Sequence, residues 1–208
     1  MNTAPLSYLA LGDSYTIGEG IGEAGRWPVQ LAHALSAEGI AVSAPHIIAT
    51  TGWTTDELSA AINAAAPADD YDLVSLLIGV NNQYRGRRVD EYRHQFDALL
   101  GRATGFAGGR AGRVLVLSIP DWGVTPFAIQ SGRDRDLIAR ELDAFNAAAA
   151  QACAARGIAF VDIAPVSRAR GADPEMLGDD GLHPSAAMYA QWTRLALPVA
   201  RRLLSADG

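Results

Sequence analysis

Five short apolar runs, each followed by a stretch of helical period, constrain this chain more than any other feature. Residues 6–11, the end of 39–49, 71–78, 113–119 and 158–163 read as strands. The third run, Tyr71-Asp72-Leu73-Val74-Ser75-Leu76-Leu77-Ile78, is apolar almost throughout, as a strand buried on both faces must be. Between the runs lie helices. Residues 26–38 repeat Trp27, Leu31 and Leu35 every four positions, and 54–66 forms the next helix. Residues 89–103 carry Tyr92, Phe96, Leu99 and Leu100 on one face, and 134–156 carries Leu137, Ile138, Leu142, Phe145 and Ala149. The last helix begins near Pro184 and runs its stripe through Met188, Trp192, Leu195, Val199 and Leu203. Pro198 is expected to kink it, because a proline inside a helix lacks the donor N–H.

A β-α unit repeated five times predicts a parallel sheet covered by helices on both faces, in one α/β domain over residues 1–208. In such a sheet, ligands bind beyond the carboxyl ends of the strands. The residues just past each strand are therefore the natural place to look for chemistry. Gly12-Asp13-Ser14-Tyr15 comes after the first, Thr50-Thr51-Gly52-Trp53 after the second, and Gly79-Val80-Asn81-Asn82 after the third. Pro120-Asp121-Trp122 comes after the fourth, and Asp179-Asp180-Gly181-Leu182-His183-Pro184 a short excursion after the fifth. The stretch 120–133 reads as a long irregular loop, a candidate lid.

Composition narrows the chemistry. All 17 basic residues are Arg, against 23 acidic ones, for a net charge of −6. Without Lys there is no Schiff base and no phosphate-loop lysine. The single Cys153 excludes an internal disulfide and any Cys-built zinc site, and its helical setting reads as a small buried hydrophobe. Hydroxyl, carboxylate and imidazole chemistry remain.

Ser14 is the candidate nucleophile, and it needs a base. Of the four His, only His183 lies in a strand-end loop. Asp180 precedes it by three residues, a spacing that in a turn can bring a carboxylate to the imidazole Nδ1 and fix its tautomer. Gly52 and Asn81 are candidate oxyanion donors, with the Ser14 backbone N–H a third. Taken singly, each has an ordinary reading as a turn or cap residue; four together at successive strand ends are far less ordinary. His33, His46 and His94 read as structural, and Arg85, Arg87 and Arg88 as a solvated, partly ion-paired cluster. Asp69, Asp70 and Asp72 sit at the amino end of the third strand and read as a solvated turn. Gly20-Ile21-Gly22-Glu23-Ala24-Gly25 matches a dinucleotide fingerprint, but Gly20 lies nine positions past Leu11, where the first glycine should follow the strand directly.

Gly12-Asp13-Ser14-Tyr15, Gly52, Gly79-Val80-Asn81 and Asp180-Gly181-Leu182-His183-Pro184, in that order, resemble the SGNH hydrolase superfamily, the GDSL-type esterases and lipases. The motifs span residues 12 to 184, with Tyr15 where leucine is common. The resemblance implies a three-layer α/β/α flavodoxin-like sandwich with a five-stranded parallel sheet in the order 2-1-3-4-5. It implies Ser14 as nucleophile, His183 as base, Asp180 as its orienting partner, and an oxyanion hole of Ser14, Gly52 and Asn81. It implies no metal and no cofactor. The expected activity is hydrolysis of carboxylic esters of small or medium acyl groups. Thioesterase, lysophospholipase or carbohydrate acetylesterase activity stands as the alternative within the family.

Tyr15, Trp53, Asn82, Tyr84 and Trp122 are expected to line the substrate pocket, against a competing reading as ordinary packing. The alternative of another class is a non-catalytic flavodoxin-like domain binding a nucleotide or flavin. The acidic balance argues against nucleic acid, and no apolar run approaches the ~18 residues a membrane span needs. A small-molecule ester is the expected partner and a monomer the expected state. Residues 1–5 lack a basic, then apolar, leader, so the expectation is a cytoplasmic protein, or one numbered from beyond a removed signal.

Overall fold

In a computed structural model, which describes residues 4–205, the five runs form one parallel sheet in the order β2-β1-β3-β4-β5. The strands are β1 (Tyr8–Gly12), β2 (His46–Ala49), β3 (Leu73–Leu77), β4 (Val114–Leu117) and β5 (Ala159–Val161). Register runs Gly12 beside Ala49 and Leu77, and Leu76 beside Val116. The strand order departs from chain order only at β1, which lies between β2 and β3. The crevice there, beyond the carboxyl ends, opens among the loops leaving β1, β2 and β3. Every residue of β1, β3 and β4 is buried, consistent with helices on both faces of the sheet.

Nine helices occur among the described residues: α1 (Ser14–Ile17), α2 (Trp27–Ala37), α3 (Thr55–Ala65), α4 (Val80–Tyr84), α5 (Val89–Phe106), α6 (Pro126–Ser131), α7 (Arg135–Ala155), α8 (Ala164–Arg170) and α9 (Ala186–Ser205). α2 packs against α9, while α3 packs on α5 and α5 on α7. The expected stripes are largely the buried faces: Trp27, Leu31 and Leu35 in α2, Tyr92, Phe96 and Leu99 in α5, Met188 and Trp192 in α9, but Leu137 of α7 and Leu195 of α9, expected in those stripes, lie at their edges and are exposed. Burying one such side chain contributes about 1.5–3 kcal/mol. α9 runs on through Pro198 without a break; the proline removes a single hydrogen bond, to Arg194 O, and packing of the helix outweighs that loss.

The stretch 120–133 is more ordered than its sequence suggests. It folds into a 3-10 turn (Trp122–Val124) and then α6. Thr125 caps α6, its Oγ1 accepting from the Ala128 N–H, and Pro126 fills the first helical position, where a missing N–H costs nothing. The exit of β4 is fixed by a buried side chain. Asn146 of α7 accepts from Ile119 N–H at 2.8 Å and donates to Ile119 O at 2.9 Å.

At the opposite end of the sheet, Asp72 is not a solvated turn residue. It accepts from the Ser7 backbone N–H and hydroxyl, at 2.8 and 2.9 Å, and pins the start of β3 to the start of β1. Asp70 pairs with Arg110 at 3.1 Å. His46 Nδ1 lies 2.7 Å from the Tyr71 hydroxyl. Cys153 is fully buried, and burial pushes its thiol up to about 12, so it stays protonated and inert.

Candidate active site

Each candidate residue is delivered by the element that follows its strand. β1 ends in Gly12, and Asp13 caps the short helix α1 by accepting from Tyr15 N–H at 3.0 Å. This turn places Ser14 at the first position of α1, directly beyond the sheet. A side chain at Gly12 would lie 2.1 Å from Thr16 Oγ1 and 2.5 Å from Leu77 O, so only glycine lets the turn close here. Gly52 follows β2 with φ +88°. Gly79 follows β3 with φ +131° and opens α4, which carries Asn81.

His183 stands in the loop before α9. That loop is closed by Gly178 N–H donating to His183 O at 2.7 Å and tied to α6 by Phe127 N–H donating to Gly181 O at 3.1 Å. Asp180 Oδ2 lies 2.5 Å from His183 Nδ1, and Asp180 Oδ1 accepts the backbone N–H groups of Leu182 and His183, both at 2.9 Å. Partial burial opposes ionisation of Asp180, but these hydrogen bonds outweigh it and hold the carboxyl below its ordinary range. The carboxylate therefore stays charged and keeps Nδ1–H pointed at itself, leaving Nε2 as the acceptor. The Tyr15 ring meets the imidazole edge to face, with centroids 6.0 Å apart, and is itself backed by Trp192 at 5.9 Å.

Ser14 and His183 open on one cavity of about 240 Å³, shared with Tyr15, Thr51, Gly52, Val80, Asn81, Tyr84, Trp122, Phe127 and Leu182. Asn81 Nδ2 donates one N–H to Trp53 O at 2.9 Å, which orients the amide and leaves its second N–H for a ligand. Ser14, Gly52 and Asn81 thus meet Asp180-bound His183 around a single space, a geometry able to hold a carbonyl between a hydroxyl, a base and fixed donors.

Of the residues expected to line the pocket, Tyr15, Tyr84 and Trp122 do so, while Trp53 and Asn82 do not. The Trp53 ring packs, half-buried, against the core, and its carbonyl takes the Asn81 bond. Asn82 is fully buried and serves α3: its Oδ1 accepts Thr55 N–H at 3.1 Å and its Nδ2 donates to Thr55 Oγ1 at 2.7 Å. Adjacent helical residues point in different directions, so Asn81 and Asn82 cannot both face the cavity.

Other features had a weaker sequence signal. Trp122 is held by Gln83, whose Oε1 accepts its indole N–H at 2.8 Å and whose Nε2 donates to Glu141 at 2.7 Å. Tyr84 meets Trp122 edge to face at 5.4 Å and is covered by the Arg133 guanidinium at 4.1 Å. Phe127 and Leu182 complete the apolar wall; Phe127 arrives on α6, whose Thr-Pro start is the signal that could have revealed it. Asp13 is fully buried, with Oδ2 unpartnered, and burial lifts its carboxyl to about 7. Among the described residues, no cluster of three or more His, Cys, Asp or Glu could hold a metal ion, and no helix is long and apolar enough to cross a membrane.

Residues 10–191 match the profile of the GDSL-like lipase/acylhydrolase family. No curated protein sequence matches the chain. Among solved structures, the chain is similar to TesA, with a TM-score of 0.74 at 19% identity over 95% of this chain and 99% of that one. It is similar to Axe2, an acetylxylan esterase from Geobacillus stearothermophilus, with a TM-score of 0.71 at 20% identity over 94% of each chain. A lipase/acylhydrolase from Enterococcus faecalis gives 0.71 at 20% identity over 94% of this chain and 95% of that one. At these identities the likeness is one of fold.

Proposed function

Because the chain belongs to the GDSL-like lipase/acylhydrolase family, we propose that it is a serine hydrolase that cleaves carboxylic esters of small or medium acyl groups through an acyl-enzyme. The observation that carries the proposal is the Asp180-bound His183 opening on the same cavity as Ser14, Gly52 and Asn81. His183 Nε2 takes the Ser14 proton as Oγ bonds to the ester carbonyl carbon. The carbonyl electron pair moves onto oxygen, where the N–H groups of Ser14, Gly52 and Asn81 stabilise it. As the carbonyl re-forms, the carbon–alkoxide bond breaks and imidazolium protonates the departing alcohol. Water, deprotonated by His183, then repeats the sequence and releases the acid and free Ser14.

Val80, Tyr84, Trp122, Phe127 and Leu182 give the cavity an apolar lining, and His183 is its one titratable basic side chain. That lining favours an uncharged acyl group. A thioester would undergo the same steps, and profiling acyl length and leaving group separates the substrate classes within the family. The non-catalytic reading has less support, since a nucleotide or flavin would have no use for a serine that shares its cavity with an Asp-bound histidine.

Covalent labelling with a fluorophosphonate, followed by peptide mapping, tests the proposal. The label is expected on Ser14 and is expected to vanish in His183→Ala. Labelling at another serine, or equal labelling of the variant, overturns it.

A further inference from the structure

The turn between β2 and α3 is tied down residue by residue. Thr51 Oγ1 donates to Glu19. Gly52 O accepts from Arg85 Nη2 at 2.6 Å, and Trp53 O accepts from Asn81 Nδ2 at 2.9 Å. Thr54 N–H donates to Glu57 Oε2 at 2.8 Å. The other carboxylate oxygen of Glu57 receives Arg85 Nη1 at 3.0 Å. Asn81 and Arg85 are four residues apart, so one face of α4 and its C-cap reaches two successive carbonyls of the turn.

We propose that Arg85 is a positioning residue that grips Gly52 O, limits rotation about the Gly52 dihedrals and so keeps the Gly52 N–H, in the preceding peptide, aimed for oxyanion binding, a role that rests on the serine-hydrolase reading of the site. Gly52 has φ +88° and no side chain, so its two dihedrals, which link its N–H to its C=O, are intrinsically the freest in the turn. Its N–H stabilises an oxyanion only when it is aimed before the charge develops. The guanidinium fork supplies the restraint: one nitrogen holds Gly52 O, and the other anchors to Glu57, which is itself fixed at the start of α3. The Thr54 backbone N–H, against a burial cost and with Arg85 adding to it, holds the Glu57 carboxyl below its ordinary range, so the anchor stays charged near neutral pH. Arg85 does not line the cavity and does not touch the reacting atoms.

The test compares Arg85→Met, which keeps the apolar stem and loses the donors, with Arg85→Lys, which keeps one charged donor. Turnover of p-nitrophenyl butyrate and hydrogen exchange of the 51–54 segment are measured for each, with thermal unfolding as the control. Arg85→Met is expected to lower kcat about tenfold, less than the 10²–10³ of a deleted oxyanion donor, with KM changed by less than about threefold. Exchange across 51–54 is expected to quicken, and Arg85→Lys to recover part of both effects. If Arg85→Met does not fold, Glu57→Gln, which still accepts Thr54 N–H but loses the charge that anchors Arg85, carries the same expectations. Unchanged kcat, with or without faster exchange, overturns the proposal, as does a loss of stability with kcat per folded molecule intact. Full turnover in Ser14→Ala would instead overturn the serine-hydrolase reading, and the exchange data would still report whether Arg85 restrains the turn.

Discussion

Asp180 holds His183 twice: Oδ2 lies 2.5 Å from the imidazole Nδ1, and Oδ1 accepts the histidine's own backbone N–H at 2.9 Å. One carboxylate thus fixes the tautomer of the ring and the conformation of the loop that carries it. The Asp-x-x-His spacing makes both contacts possible at once, because a carboxylate that accepts backbone N–H groups two and three residues ahead closes a tight turn.

Asp180→Asn is expected to lower kcat by 10²–10⁴, roughly the cost of losing the orienting carboxylate of a triad. The amide can still accept the two backbone N–H groups, so far-UV circular dichroism is expected to match the wild type. Equal kcat on a p-nitrophenyl ester would show that His183 needs no orienting partner.

Asn81→Ala removes one proposed oxyanion donor and the bond to Trp53 O. A fall in kcat of about 10²–10³, with KM moving far less, is expected. A variant that loses only substrate affinity would place Asn81 in ground-state binding instead.

Asp13 sets a pH dependence of stability. Burial raises its carboxyl from 3.8 to about 7 in the folded protein, and Oδ2 has no partner. Between about pH 4 and pH 7 the folded state therefore holds a proton that the unfolded state has released, so the Asp13 contribution to stability is full below pH 4 and is lost as pH rises through 7. A rise from 3.8 to about 7 bounds the effect at roughly 4 kcal/mol. Asp13→Asn, which cannot ionise, is expected to gain stability relative to wild type from pH 5 to pH 8 in urea titrations. A difference that stays constant across that range would contradict the assignment.

Gly79→Ala is expected to destabilise the fold by about 2–4 kcal/mol. Its φ of +131° disfavours any side chain, and an added Cβ would lie 2.6 Å from Tyr92 Cε2 and 2.8 Å from Ile119 Cδ1, both in the core. The midpoint of thermal unfolding is the measurement, and a change under 1 kcal/mol would mean that Tyr92 and Ile119 repack freely.

The sequence pattern carries the architecture well where period and burial coincide. The run 71–78 announces β3 because a strand covered on both faces has no polar side to interrupt it. It fails where local chemistry is subtle. The run 120–133 lacks an apolar period long enough to announce a helix, and only Thr125 and Pro126 mark the start of α6. Asn82 and Asn81 both stand just past β3 and look alike in sequence, yet one turn of helix sends Asn82 to Thr55 and Asn81 to Trp53 O.

The sequence by itself determined the five β-α units and the set of residues standing at the carboxyl ends of their strands, because hydrophobic period and glycine placement are local properties of the chain. The tertiary structure decided which of them share a space. Ser14 and His183 lie 169 positions apart, and only the β2-β1-β3-β4-β5 order and the loop before α9 bring them to one cavity. It also decided the roles of Asp13, Gln83 and Arg85. Their environments are a burial that leaves Oδ2 unpartnered, a bond to Trp122 and a bond to Gly52 O. Such contacts are made between segments, and no spacing along the chain encodes them.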